Sequence, residues 1–527
     1  MSSSPIRLLR GFATVGGWTM ASRILGFLRD VMIAALLGAG PVAEAFFVAF
    51  RLPNMFRRFF AEGAFNMAFI PLFAKRLEGE GKAAATGFAE EAQALLATAL
   101  IALTLLAQLL MPWFVWALAS GFEQGTERTE LAIAFSRICF PYILFISLAA
   151  LFSGILNAFG RFAAAAAAPV LLNLVLIGAM ALGWALGWEI GTVLAWAVFA
   201  GGLAQLLLVV LATRRLGVTL RLRLPRLSPD MRRLVALGIP AALAGGVMQI
   251  NLLVGTQIAS WFEGAIGWLW YADRVYQLPL GIVGVAIGVV LLPELSRLVR
   301  AGETRRAEAQ MNRAAEFALI LTLPATMALV VLPGLITQVL FQRGAFDAGD
   351  SAATATALWI YALGLPAFVL QKVLQPAFFA REDTQSPLRY AVWSMAVNVG
   401  AALALIPLAG WLGAAIGTTL AGWAMLAMLW RGARAKHGGI ALDPRLSHRA
   451  PRALASTLAM GALIAGIAHV GDLAALPPWA VLTGAVAGGM LGYAAFGWAL
   501  GAFHPGELAA ALRRGPTRDR PADGSGA

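Results

Sequence analysis

Long apolar runs recur along the chain, separated by short polar stretches. Runs able to cross a hydrocarbon core about 30 Å thick predict about fourteen helices. These are at 12–37, 42–74, 88–113, 131–156, 163–186, 190–213, 235–262, 268–298, 314–340, 353–380, 388–407, 412–431, 452–470 and 479–502. Every second connection is basic: Lys75/Arg76/Lys82, Arg161, Arg214 to Arg233, Arg297 to Arg313, Arg381/Arg389 and Arg431 to Arg452. The intervening ones are acidic or neutral, with Glu123/Glu127/Glu130, Glu189, Glu263, Asp347/Asp350 and Asp472. Cytoplasmic loops hold the excess of Lys and Arg, so the alternation predicts an all-α integral membrane protein with both termini in the cytoplasm.

The two halves repeat weakly at a separation of about 222 residues. Pro71 maps onto Pro293, Ala64 onto Ala286 and Phe46-Phe47 onto Trp268-Leu269, while Arg51 falls one residue from Arg274. An even number of helices per repeat gives two homologous six-helix lobes of like orientation, related by an axis along the membrane normal. The expected layout is an N-terminal lobe at 1–213, a basic cytoplasmic linker at 214–234 and a C-terminal lobe at 235–431. A basic cytoplasmic loop at 432–451, an appended helix pair at 452–502 and a polar tail at 503–527 complete it. That tail is rich in Pro and Gly and is expected to be disordered.

Composition agrees with membrane insertion. Hydrophobic residues make up 60% of the 527 positions and charged residues 13%, against about 25% charged in a soluble domain; mean hydropathy is +0.77. The net charge of +13 would point to nucleic acid in a soluble protein, but the loop asymmetry accounts for most of it, and no nucleic-acid partner is expected. A single cysteine, Cys139, rules out an internal disulfide and a cysteine-based metal or redox site. The four histidines lie in loops or at helix ends without metal-ligand spacing, and no nucleophile elbow or phosphate loop is present. An enzyme is therefore not expected, nor is a metal or cofactor.

One stretch departs from the apolar pattern. Between Ser22 and Pro71, Arg23, Arg29, Asp30, Arg51, Arg57, Arg58 and Glu62 fall at membrane depth. Five lipid-facing arginines would cost about 12–17 kcal/mol on the translocon scale. These arginines must instead line a wet, protein-walled cavity, and so basic a cavity suits an anion. Glu44, Arg51, Arg58 and Glu62 share one helix face, Arg58 and Glu62 are spaced to pair, and Pro53 predicts a kink. Asp273 and Arg274 bring charge into the second half, and Lys372 is a further candidate for the cavity wall. The alternative is that these charges pair and lock helices together, with Arg274 on Asp30 or Glu62. Leu340 to Asp347 (LFQRGAFD) reads as a polar structural turn on the outer side.

Four motifs, SRILGFLRD at 22–30, AFFVAFRLPNMFRRFFAEGAF at 45–65, YADRVYQLPLGIVGVAIGVVLLP at 271–293 and LFQRGAF at 340–346, resemble the MurJ/MviN family. That family belongs to the multidrug/oligosaccharidyl-lipid/polysaccharide exporter superfamily. The resemblance covers essentially the whole chain. It implies flipping of lipid II, the undecaprenyl-diphosphate-linked peptidoglycan precursor, across the bacterial cytoplasmic membrane by alternating access. It also implies that Arg23, Arg29, Arg57 and Arg274, with Asp30, hold the diphosphate. Glu44 stands where the family often has Asp, Arg51 where it often has Lys, and Gln277 where members can carry an acid. In the family the appended helices are associated with a groove for the polyprenyl tail. The partners implied are lipid II, membrane lipids and cell-wall synthesis proteins. The competing readings are an exporter of another lipid-linked glycan or a drug, and a non-transporting membrane scaffold for cell-wall enzymes.

Overall fold

The computed structural model describes residues 5–57, 65–437 and 443–503, with side chains described throughout except at 5–13, 67, 239–252, 282 and 284–290. All regular structure among the described residues is helical. The order is α1 (Pro5–Leu37), α2 (Pro41–Arg57), α3 (Phe65–Gly79), α4 (Gly81–Leu118), α5 (Glu127–Cys139), α6 (Tyr142–Ala158), α7 (Ala163–Ala185), α8 (Ile190–Arg214) and α9 (Pro229–Ala259). It continues with α10 (Ala265–Arg300), α11 (Thr304–Val331), α12 (Pro333–Phe341), α13 (Ala348–Phe379), α14 (Gln385–Ala409), α15 (Leu412–His437), α16 (Pro444–Leu473) and α17 (Pro478–Ala499). Among the described residues, ten helices are long and apolar enough to cross a membrane.

Two predicted helices are each built from two segments. The 131–156 run divides into α5 and α6 at Phe140-Pro141, and the 314–340 run into α11 and α12 at Leu332-Pro333. Each division falls beside a proline, which supplies no N–H to the preceding turn. The 42–74 run appears as α2 and α3, and residues 58–64 between them lie outside the described residues, so Arg58 and Glu62 do too. Pro53 is accommodated inside α2. Several helices also extend past the predicted runs, α4 by a turn or more at each end.

The chain divides into two compact units, the first comprising 1–274, 340–357 and 395–420. Its core joins α3, α4, α6, α8 and α9 around Phe69, which stacks on Phe65, Phe73 and Phe88. The basic segment after α8 is strapped to α4: the Arg221 N–H donates to Glu90 Oε1 at 2.9 Å, Arg223 pairs with Glu90 Oε2 at 2.6 Å, and the Ser228 hydroxyl donates to Glu91 at 2.7 Å. Ser228 then caps α9.

The LFQRGAFD segment is a turn with Arg343, Gly344, Ala345 and Asp347 exposed, anchored by two buried phenylalanines. Phe341 and Phe346 are buried against Tyr271, and the Ala345 N–H donates to Ala35 O at 2.8 Å at the end of α1. A Cβ on Gly344 would stand 2.1 Å from Ala35 O, and one on Gly38 2.5 Å from Ala345 O. Both glycines also have positive φ, so this join admits no side chain at either position.

The second unit comprises 275–339, 358–394 and 421–527. Here α16 and α17 pack on α11. Tyr493 donates to Ile320 O at 2.9 Å, and Glu316 takes Arg313, Arg445 and Arg449 as partners, with Asp443 also on Arg313.

Candidate functional site

The first unit brings three charges together. Arg29 and Asp30 follow each other on α1, about 100° apart round the helix, yet the arginine side chain curls back to its neighbour. Its Nε and Nη2 donate to Asp30 Oδ1 at 3.1 and 2.8 Å. Its Nη1 donates to Asn173 Oδ1 on α7 at 3.0 Å. The other aspartate oxygen, Oδ2, forms an ion pair with Arg274 Nε on α10 at 2.9 Å. Asp30 is 1% exposed and Arg29 8%, so one buried carboxylate sits between two guanidinium groups and the triad keeps a surplus positive charge.

Aromatic rings set the arginines further. Arg274 lies over Trp270 at 4.5 Å and Arg51 over the same ring system at 5.5 Å. Phe47 stacks on Trp270 with centroids 4.7 Å apart, and Arg29 lies over Phe50 at 5.7 Å. Cation–π contacts of this kind strengthen where water is excluded, so Trp270 holds two cations that would otherwise repel. Asn173 has its amide used at both ends, since Nδ2 donates to Ser22 O on α1 at 3.0 Å. Its bonds to Ser22 and Arg29 tie α7 to α1 beside the charged cluster.

The remaining candidates divide. Arg23 is exposed on α1, six residues or about 9 Å before Arg29. Arg57, in the last turn of α2, and Asp273 are half-buried. Lys372 is exposed on α13 in the second unit. Glu44 is fully buried, and its carboxylate is not on an open wall. Its Oε1 accepts the Ile266 N–H at 3.1 Å and its Oε2 pairs with Arg128 at 2.8 Å. Arg128 in turn donates to Ser260 O at 3.2 Å and lies 3.9 Å over Phe122. This is a clip between α2, α5 and the α9–α10 turn, separate in composition from the Asp30 cluster.

Asn173, Trp270 and Arg128 were not anticipated from sequence. Asn173 carried a signal, an amide in the run AAAAAAPVLLNLVLIGA, which is otherwise apolar. Among the described residues, no group of three or more His, Cys, Asp and Glu could hold a metal ion.

The family model described as lipid II flippase MurJ matches residues 33–482. The chain belongs to the MurJ family. A Rhizobium tropici MurJ relative, named a probable lipid II flippase, is 46% identical over 466 residues, which is 88% of this chain and 87% of that one. A Burkholderia cenocepacia protein named lipid II flippase MurJ is 36% identical over 411 residues, covering 77% and 80% respectively. The fold agrees with a solved MurJ in an inward closed conformation, with a TM-score of 0.77 at 23% identity, covering 95% of this chain and 99% of that one. An inward-facing multidrug transporter of the MATE family shares the fold more distantly, at a TM-score of 0.67 and 15% identity over 81% of this chain and 98% of its own.

Proposed function

We propose that this MurJ family member is a lipid II flippase, moving the undecaprenyl-diphosphate-linked peptidoglycan precursor from the inner to the outer leaflet of the bacterial cytoplasmic membrane. The observation that carries the reading is Arg29 and Arg274 converging on one carboxylate, with Arg51 beside them, in a chain built to span the membrane. At an effective dielectric of about 20, opposite unit charges 4 Å apart attract by about 4 kcal/mol. A diphosphate meeting two guanidinium groups thus gains enough to offset much of its lost hydration, and charge-assisted bonds add direction. A cation exporter would need the opposite sign of charge.

The full topology belongs to the same proposal: fourteen transmembrane helices, both termini cytoplasmic, lobes at 1–213 and 235–431, and the pair at 452–502. The lobes alternate access, while Arg23, Arg29, Arg57 and Arg274 clasp the headgroup and the polyprenyl tail stays in lipid. The protein acts as a transporter, and its product supplies the cell-wall enzymes outside.

The test is leaflet accessibility of lipid II in cells depleted of this protein, probed with an externally added enzyme that cleaves the precursor. Wild type is expected to restore cleavage, and Arg29→Ala to insert normally without restoring it. Cleavage unchanged by depletion, with no second flippase present, would overturn the reading.

A further inference from the structure

Two features of the arginine site do not fit a site standing ready for an anion. All three Arg29 nitrogens are already bonded, two to Asp30 and one to Asn173. Arg274 is also drawn to Asp30, through the second carboxylate oxygen. The aspartate is 1% exposed, so its charge is balanced by these two guanidinium groups rather than by water. A carboxylate bridging two arginines offers them what a phosphate offers: a delocalised negative charge and two oxygens, one accepting both Arg29 donors and the other facing Arg274.

Resting on the lipid II reading above, we propose that Asp30 is a resident counter-ion displaced by the substrate's diphosphate, and not itself a substrate ligand. The sign of its charge requires this. Beside a bound diphosphate, a buried aspartate adds repulsion between like charges and supplies no donor. In the state described here it does the diphosphate's work, neutralising Arg29 and Arg274 and joining α1 to α10. Loading is then an exchange of anions: the diphosphate takes over the guanidinium groups and the carboxylate leaves them. The α1–α10 ion pair opens in the same event, so it yields once another anion holds Arg274. After the substrate departs, Asp30 pairs again and restores the contact. Asn173 keeps one bond to Arg29 throughout, so the guanidinium stays aimed at the site while its other partner changes.

The experiment is titration of undecaprenyl diphosphate onto purified full-length protein in nanodiscs, comparing wild type, Asp30→Asn and Arg29→Ala. Asp30→Asn removes the competing charge at nearly constant shape, and about tenfold tighter binding is expected, with slower release and slower flipping in reconstituted vesicles. Arg29→Ala is expected to lose saturable binding. Unchanged or weaker binding by a folded Asp30→Asn protein, with wild type still binding and Arg29→Ala not, would overturn the exchange alone. Absence of saturable binding by wild type would overturn the exchange together with the flippase reading. Infrared difference spectra of wild type carrying 13C-labelled aspartate give a measurement independent of the variant's folding. Adding undecaprenyl diphosphate is expected to shift a carboxylate stretching band, and no shift would overturn the exchange.

Discussion

The first unit contains two buried acids paired with distant arginines, and they behave differently. Glu44 meets the guanidinium group of Arg128 and backbone N–H groups of Gly264 and Ile266. Its charge is balanced and the arginine's remaining bonds run to backbone carbonyls, including Ser260 O. Asp30 meets two guanidinium groups, with a third arginine, Arg51, on the aromatic ring that carries Arg274. One centre sets a single arginine against Glu44 and the neighbouring Glu263 and so has no positive surplus; the other keeps one. Burial and residue type are alike in both, so the ratio of cations to anions is what distinguishes the Glu44 fastening from the site we propose for an anion.

The largest contrast is functional. Arg274→Ala is expected to abolish lipid II flipping with normal membrane insertion, read by the external cleavage assay, whereas Arg128→Ala retains flipping in whatever fraction folds. Abolition by both at equal folded levels would erase the distinction. Stability reverses the order. Removing Arg128 leaves Glu44 buried and uncompensated, for which about 3–5 kcal/mol is typical, so a marked drop in thermal midpoint and yield is expected. A midpoint within a degree or two of wild type would place Glu44 among ornamental charges.

Asn173→Ala sharpens the first centre. It deletes the amide partner of Arg29; a hydrogen bond to a charged group contributes about 1.5–3 kcal/mol, which corresponds to flipping slowed about tenfold or more. Asn173→Asp adds a second anion-competing carboxylate beside Asp30 and is expected to be worse than Ala; the reverse ranking would show that Asn173 serves packing alone. The smallest effect belongs to Arg223→Ala on the strap. Its side chain is 51% exposed, and Glu90 keeps the Arg221 N–H when Arg223 is lost, so a small midpoint shift is expected with flipping intact.

The sequence singled out Arg29 and Arg274, because an arginine inside an apolar run is conspicuous whatever it touches. It also raised the pairing of Arg274 with Asp30 as an alternative to an open cationic arm, without being able to choose. It could not reveal that Arg29 folds back on its own neighbour, since helical phase places adjacent residues on different faces and says nothing of a side chain's reach. Glu44 was read as a cavity charge because it shares a helix face with Arg51; its partner, Arg128, stood in an acidic connecting loop where nothing marked it as buried. The LFQRGAFD segment reads as polar by composition, yet its two phenylalanines decide its fate.

By itself the sequence determined the helical, membrane-spanning character of the chain and most of the helix positions. Transfer of side chains between water and hydrocarbon is a local property, summed along each run. The divisions at Phe140-Pro141 and Leu332-Pro333 were settled by where prolines fall relative to packing, and the charge pairs by which helices lie against one another. An ion pair between α1 and α10 depends on a separation of a few ångströms between residues far apart in the chain. Only the tertiary structure sets that distance, and with it whether a buried charge serves as a fastening or a site.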